Sequence, residues 1–544
     1  VAQALLAQAL LAQAASQIPC CCTMSLDDDS HKPTGRPGDS QGGEFSDGPG
    51  ASLEDGGFVR WLLQQPTSVR WILALKFLES WAYFLVNNIF TLYLTELWGY
   101  SDEGAGLAFG VRGTLSTLYG AVLGPVIDHV GITWSLRLAF LITTLSRGAM
   151  AVVPTRRSLQ FIIFGLLPMG HALASPALTI AMKRCSSRDG SGSQNTKFAM
   201  LYLTLVLGIA VCGPTIDFVT ILISSHGHQG SPYVRLLLLC SGVSGAGLFI
   251  SAVFLRGLDE ADQMQPLRQG GRMFAICKAA VRDTLPHVCS FRFARFAAFG
   301  VLSLPAHLVV RNLDGGLFPK YMVRSFGRHV PKGSIYAINP VLDILLVLPV
   351  ARWSRGVVHH RMLVAGFALA ALSPFAVAAL GSSLASTVLF IVVLTAGDLL
   401  YSPRLDAYAM AVAPDGHEGA FMAVSHMLLF AVDIPVGLIG GELLARFCPA
   451  PTCQVCHDGS VCDAAELKRW TQDCPDCFCK SSCNARAMFG LLGLTACISP
   501  LLLCIPWWVE PTQHGVHSST EIPETLEMVG TQRTVVGRGI ESLE

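Results

Sequence analysis

The chain has 544 residues, 51% of them apolar and only 14% charged, with a mean hydropathy of +0.49, where a soluble protein carries about 25% charged residues. That deficit excludes an ordinary string of soluble domains and makes lipid the solvent for much of the chain. The 38 basic and 38 acidic residues cancel, which excludes the basic footprint of a nucleic-acid binder.

The first stretch, from Val1 through an Ala/Gln/Leu run to Cys20, Cys21 and Cys22, has no Lys or Arg. It therefore lacks the positive n-region of a secretory signal, and Met24 reads as the expected start. Residues 25–57 are polar and rich in Gly, Asp and Ser, so 1–57 is expected to be a disordered tail.

A bilayer crossing needs roughly 17 to 25 apolar residues. Such stretches occur at 71–94, 106–127, 134–153, 159–182, 198–224 and 234–255, and again at 296–322, 335–351, 363–380, 387–401, 420–444 and 487–506. The expectation is an all-α membrane protein of about twelve spans in two six-helix bundles, 58–255 and 290–508. Between them lies a polar linker, 256–289. Within it Met273, Phe274, Ile276, Cys277, Ala280 and Val281 share one helical face, while Arg272, Lys278 and Arg282 lie elsewhere. The pattern fits a helix on an anionic membrane surface, or an ordinary linker helix. A polar tail, 509–544, is expected to be disordered.

The positive-inside rule is met by Lys183, Arg184, Arg188, Lys197, Arg256, Arg352, Arg355 and Arg361, which puts both termini in the cytoplasm. Lys320, Arg324, Arg328 and Lys332 break the rule on the other side. His359 and His360 beside Arg361 read as solvated charge in a loop.

Eight cysteines crowd between the last two spans, in 446–485: Cys448, Cys453, Cys456, Cys462, Cys474, Cys477, Cys479 and Cys483. Two C-x-x-C pairs suit a four-thiolate zinc site, and an even set in an oxidising compartment suits disulfides. Both termini inside would put this loop on the extracellular or luminal face, so disulfides are expected and no metal or other cofactor is.

Ionisable groups at mid-bilayer are costly and mark either function or structural pairing. The first span carries Lys76 and Glu79 on one face, with Tyr83 a turn further on. Arg112, Arg147 and His171 follow in the first bundle, and His307, Arg311, Asp314, Asp343, Asp398, His426 and Asp433 in the second. For His171 and His426 the structural alternative, a satisfied core histidine, is the stronger. Asp398 falls at the end of the tenth span. Gly120-x-x-x-Gly124 and Gly437-x-x-x-Gly441 allow close helix contact. Pro168, Pro176, Pro305, Pro340, Pro374 and Pro435 are expected to interrupt helices.

After the second span the chain reads Gly124-Pro-Val-Ile-Asp128-His-Val-Gly131. This resembles the G-x-x-x-D-R/K-x-G loop of the major facilitator superfamily, in which the glycines turn the chain and the carboxylate caps a helix. Residues 331–340, holding Asn339-Pro340, and Gly397-Asp398-Leu-Leu-Tyr-Ser402-Pro403 resemble the eighth- and tenth-helix patterns of the proton-coupled oligopeptide transporter branch. Leu201-Tyr202 and Gly208 echo its fifth helix.

The first-helix motif E-x-x-E-R-F departs: here it is Lys76-Phe-Leu-Glu79-Ser80-Trp81, with Ser175 and Val206 where that branch has Lys and Asn. The resemblance implies a secondary transporter of a small peptide or amino-acid-like solute, working by alternating access. The departures leave open nitrate or another organic anion, proton coupling itself, and a non-transporting receptor on the same fold. Lys76, Glu79, Tyr83, Asp314, Asn339 and Asp398 are the expected solute or proton groups, with Lys76 as the replacement cavity cation and Glu79 or Asp398 as its partner. Gly124, Asp128 and Gly131 form the expected conformational motif. Metalloprotease and serine-hydrolase motifs are lacking, so no enzyme is expected. The expected partners are the solute, protons as coupling ion and the bilayer, in a plasma or internal membrane.

Overall fold

The computed structural model describes residues 62, 65–189, 194–225, 231–255, 291–327, 330–354, 357, 359–412, 432–450 and 483–504. The tails, the linker with its amphipathic face, Arg328, His426 and the six inner loop cysteines, Cys453 to Cys479, lie outside them.

The first six crossings are α1 (Thr67–Glu96), α2 (Asp102–Val130), α3 (Ile132–Val152), the pair α4 (Arg156–Phe161) and α5 (Leu167–Asp189), α6 (Gln194–Ser225) and α7 (Pro232–Val253). The second six begin with α8 (Phe291–Asp314) and α9 (Phe318–Phe326), then α10 (Lys332–Tyr336) and α11 (Ile338–Trp353). They continue with α12 (His359–Leu372) and α13 (Phe375–Leu380), α14 (Leu384–Val412), α15 (Asp433–Phe447), and α16 (Ala485–Ala496) with α17 (Ile498–Leu503). Seven helical stretches among the described residues are long and apolar enough to cross a bilayer, each no more than 56% buried within the protein. Their outer faces carry exposed Trp134, Leu145, Phe161, Phe218, Phe249 and Leu501, which water would not tolerate and lipid does.

Helices that descend from one common face start on polar caps. Ser101 accepts from the Gly104 amide, Thr155 from Ser158, Ser231 from Tyr233 and Asn484 from Ala487. Each satisfies amides left without partners at a helix start. On the charge rule this is the outer face.

Several crossings are broken. A π-helical turn, Ile162–Leu166, joins α4 to α5, and the Tyr119 hydroxyl donates to its Phe164 carbonyl. Glycines 315 and 316 separate α8 from α9. Pro374 separates α12 from α13, whereas Pro176 and Pro305 lie inside helices that continue. Pro168, Pro340 and Pro435 sit in first turns, where a missing N–H costs little. Breaks therefore adjoin Pro168, Pro340 and Pro374, and none occurs at Pro176 or Pro305.

Three further expectations change. The Gly124–Gly131 stretch is not a loop: α2 continues to Val130, and Gly131 alone makes the turn, with φ +88° that only glycine adopts easily. Gly131, not Asp128, occupies the N-cap of α3, without a side-chain bond. Asp398 lies mid-helix, because α14 runs on to Val412. Ser402-Pro403-Arg404 ends the apolar stretch but not the helix, since Arg404 donates to the Ser354 carbonyl and hydroxyl at 2.9 and 3.0 Å. His359 and His360 open α12 rather than lying in a loop, and the His360 ring sits 6.4 Å from that of Phe299.

The described contacts between the two bundles gather at the outer end. Gly106 and Gly437 cross so closely that a Cβ on either would lie within 2.1 Å of the other's carbonyl oxygen. Gly441 packs on Asp102 and Glu103 in the same way. A methyl group at Gly120, by contrast, would meet no atom within 4 Å among the described residues, so Gly120 makes no close helix contact among them. Asp102 Oδ1 accepts from Lys320 at 3.0 Å and from Arg324 at 2.8 Å. Asp217 on α6 accepts from the Gly333 and Ser334 amides and the Ser334 hydroxyl at 2.6–3.0 Å. Lys320 and Arg324, the basic residues that offended the charge rule, are thus engaged in an inter-bundle ion pair. Arg324 also donates to the carbonyl of Cys448, which is disulfide-bonded to Cys483.

Candidate functional site

The first-helix pair forms as its spacing requires. Residues three apart on one helix are neighbours, and on α1 this brings Lys76 Nζ to 3.4 Å from Glu79 Oε2, both buried. Glu79 Oε1 lies 2.7 Å from His171 Nδ1 on α5. The His171 ring stacks on Tyr83 with centroids 3.9 Å apart. Arg112 of α2 lies 5.8 Å from the Tyr83 ring and 4.8 Å from that of Phe90, and hydrogen-bonds Asn87. Arg147 of α3 hydrogen-bonds Ser244 and adds its charge to the field at Glu79.

Tyr83, Arg112, Arg147 and His171 line one narrow recess with Val86, Gly113, Ser116, Leu167 and Pro168. Of the expected solute groups, Tyr83 reaches this lining directly. Glu79 meets it through His171, and Lys76 stands behind Glu79. Both arginines are buried, 4% and 2% exposed, and neither has a carboxylate within ion-pair distance among the described residues. The Nε of each has no hydrogen-bond partner among the described residues. A buried guanidinium held only by neutral groups is a costly arrangement, and here it occurs twice beside one opening.

The second bundle supplies carboxylates. Asp433 lies 3.2 Å from Arg311, against Gly113 of the recess. Asp314 lies 3.7 Å from Arg311 and accepts from the Tyr336 hydroxyl at 3.1 Å. Asp398 is within reach of Tyr401, and its charge is felt at Asp314 and Asp343. Asn339 donates to Thr395 at 2.9 Å, holding α11 to α14. Of the two partners expected for Lys76, Glu79 is the one it meets.

Arg112, Arg147, Arg311 and Asp433 were legible as intramembrane charges but not as a group, because their convergence depends on helix rotation. His171 was legible only as a satisfied core histidine; its partner, Glu79 on α1, depends on the same convergence.

No family model matches the chain. It is similar to the multidrug resistance protein MdtH of Proteus mirabilis, 25% identical over 370 residues, covering 66% of this chain and 82% of that one. Its likeness to MdtH of Salmonella typhimurium is 24% over 368 residues, with the same coverage. Among solved structures it resembles a POT family transporter in complex with 5-aminolevulinic acid, at 15% identity and a TM-score of 0.62, covering 82% of this chain and 97% of that one. It also resembles the peptide transporter POT in complex with sulfate, at 17% identity and 0.59, covering 81% and 94%. The chain has the major facilitator fold of these transporters and is a multi-pass integral membrane protein.

Proposed function

We propose that this protein is a secondary transporter that carries a small solute with a carboxylate or similar anionic group, and an amine, by alternating access. The observation that carries the reading is the pair of buried arginines, Arg112 and Arg147, that open on one recess without a carboxylate partner among the described residues. A solute anion would supply what they lack, while the mutually interacting Asp314, Asp343 and Asp398 of the second bundle would favour a cationic group. Two charges of opposite sign on one solute fit this better than nitrate does. The solutes named with similar structures, 5-aminolevulinic acid and peptide conjugates, have that character. A drug-sized solute, as the multidrug resistance in the curated relatives' name would suggest, would favour a more apolar lining than this one. The sealed outer end describes one state of the cycle, with solute exchange on the opposite, cytoplasmic side.

The test is equilibrium binding by the purified protein of dialanine, 5-aminolevulinate, nitrate and an uncharged dipeptide amide. Dialanine or 5-aminolevulinate is expected to bind tightest. Arg147→Gln should weaken that binding roughly 10- to 150-fold, as for loss of a hydrogen bond to a charged group. Equal binding of the uncharged amide would refute the anion subsite.

A further inference from the structure

His171 is the one imidazole in the recess lining, and an imidazole is a donor at one nitrogen when neutral and at both when protonated. Its surroundings are charged on the sides where α1, α2 and α3 pack against α5. Helix α1 presents Lys76, Glu79 and Tyr83, α2 presents Arg112, and α3 presents Arg147 with Cys240 of α7 beside it. Helix α6 adds no ionisable group to the recess lining. From the second bundle, Arg311 and Asp433 act on Tyr83.

Within the first bundle, Lys76 and Arg147 act on one carboxylate, Glu79, while the carboxylate nearest in charge to Arg112 is Asp433 of the second bundle, itself paired with Arg311. An imidazole touching the Glu79 carboxylate at 2.7 Å and stacked on Tyr83 is held in place in either protonation state. When neutral, Nδ1–H donates to Glu79. When protonated, the same bond becomes an ion pair and Nε2–H becomes a second donor.

The geometry points to His171 as the residue at which proton uptake is tied to binding of the solute's anionic group. This rests on the anion subsite proposed above and assigns its coupling group. A proton on His171 raises the positive charge around the recess by one and makes the solute anion more welcome. By thermodynamic reciprocity, the bound anion holds the proton. An empty recess already carrying unmatched arginines releases it. The solute and one proton would therefore cross together, with no covalent step.

The experiment is isothermal titration calorimetry of dialanine and 5-aminolevulinate in buffers of differing ionisation enthalpy, which counts protons taken up per bound anion. His171→Asn is the variant of choice, because its amide reproduces the donor to Glu79 without titrating; His171→Gln is the second. The wild type should take up about one proton per anion, and its affinity should rise at least about fivefold from pH 8 to pH 5.5, the lower end of typical coupling. Both variants should bind with no proton uptake and a flat pH profile, a readout that a purely structural histidine would leave unchanged.

Unchanged proton uptake in the variants would overturn the assignment while leaving the transporter reading intact. No binding of either probe by the wild type would overturn both. If neither variant folds, 13C-histidine spectra of the wild type decide: an imidazole gaining a proton on addition of dialanine supports the assignment, and none doing so overturns it.

Discussion

Gly106 and Gly437 meet backbone to backbone, and a methyl on either would fall within 2.1 Å of the facing carbonyl oxygen. No side chain can yield there, so the contact exists only while both positions are glycine. The outer seal consequently rests on backbone proximity, flanked by the Asp102 ion pair and the Asp217 cap.

Gly106→Ala is expected to shift the protein toward an outward-open state. Overpacking of this kind costs about 1–3 kcal/mol, a roughly five- to 150-fold change in population. Pulsed spin-label distances between Val152 and Leu380, both exposed at the outer ends of opposite bundles, should gain a longer component. An unchanged distribution would contradict the seal.

Asp102→Asn removes the partner of two cations, the buried Lys320 and the part-buried Arg324. The expected loss is about 3 kcal/mol, as for a broken buried ion pair, read as a lower Tm. Burial by itself raises the Asp102 pKa, but the Arg324 hydrogen bonds and the charges of Lys320 and Arg324 outweigh it and hold it below the ordinary carboxylate value. Its stabilisation is therefore complete above the unfolded pKa of about 3.9 and is lost as pH falls through the lower folded value. Tm profiles of wild type and variant should converge in strong acid and stay apart at neutrality. A constant gap would contradict the assignment.

Glu79→Gln leaves Lys76, His171 and the nearby Arg147 without their shared carboxylate. Dialanine uptake is expected to fall at least about tenfold, equivalent to 1.4 kcal/mol, in protein that still elutes as a single species. An unaltered rate with unaltered pH dependence would remove Glu79 from the site.

Reduction of Cys448–Cys483 releases a loop closed over 35 residues. Chain-entropy reasoning gives a loss of about 4 kcal/mol. Because the Cys448 carbonyl also accepts from Arg324, Cys448→Ser should weaken the outer seal as well as the fold. Coincident melting curves with and without reductant would argue against it.

The fold was readable because lipid imposes its own length scale. Crossings of about 17 or more apolar residues stand out in the chain, and polar caps such as Ser101 and Ser231 mark where they begin. Hydropathy failed where helix and bilayer part company: it stopped the tenth span at Tyr401, although Arg404 finds Ser354 and the helix continues. Lys76 with Glu79 was legible from spacing on a single helix. The recess was not, since Arg112, Arg147 and His171 come from three helices whose rotations no local pattern fixes. Lys320 and Arg324 misled for the same reason, as Asp102 lies 218 residues before the first of them.

Uptake by reconstituted vesicles is the decisive measurement for solute transport coupled to protons. With an inward proton gradient, wild-type protein should concentrate labelled dialanine or 5-aminolevulinate above its external level, and Arg147→Gln should abolish the accumulation. Vesicles that never exceed equilibrium with either solute, in protein that is folded and correctly inserted, would show that Arg112 and Arg147 do not serve an anion carrier.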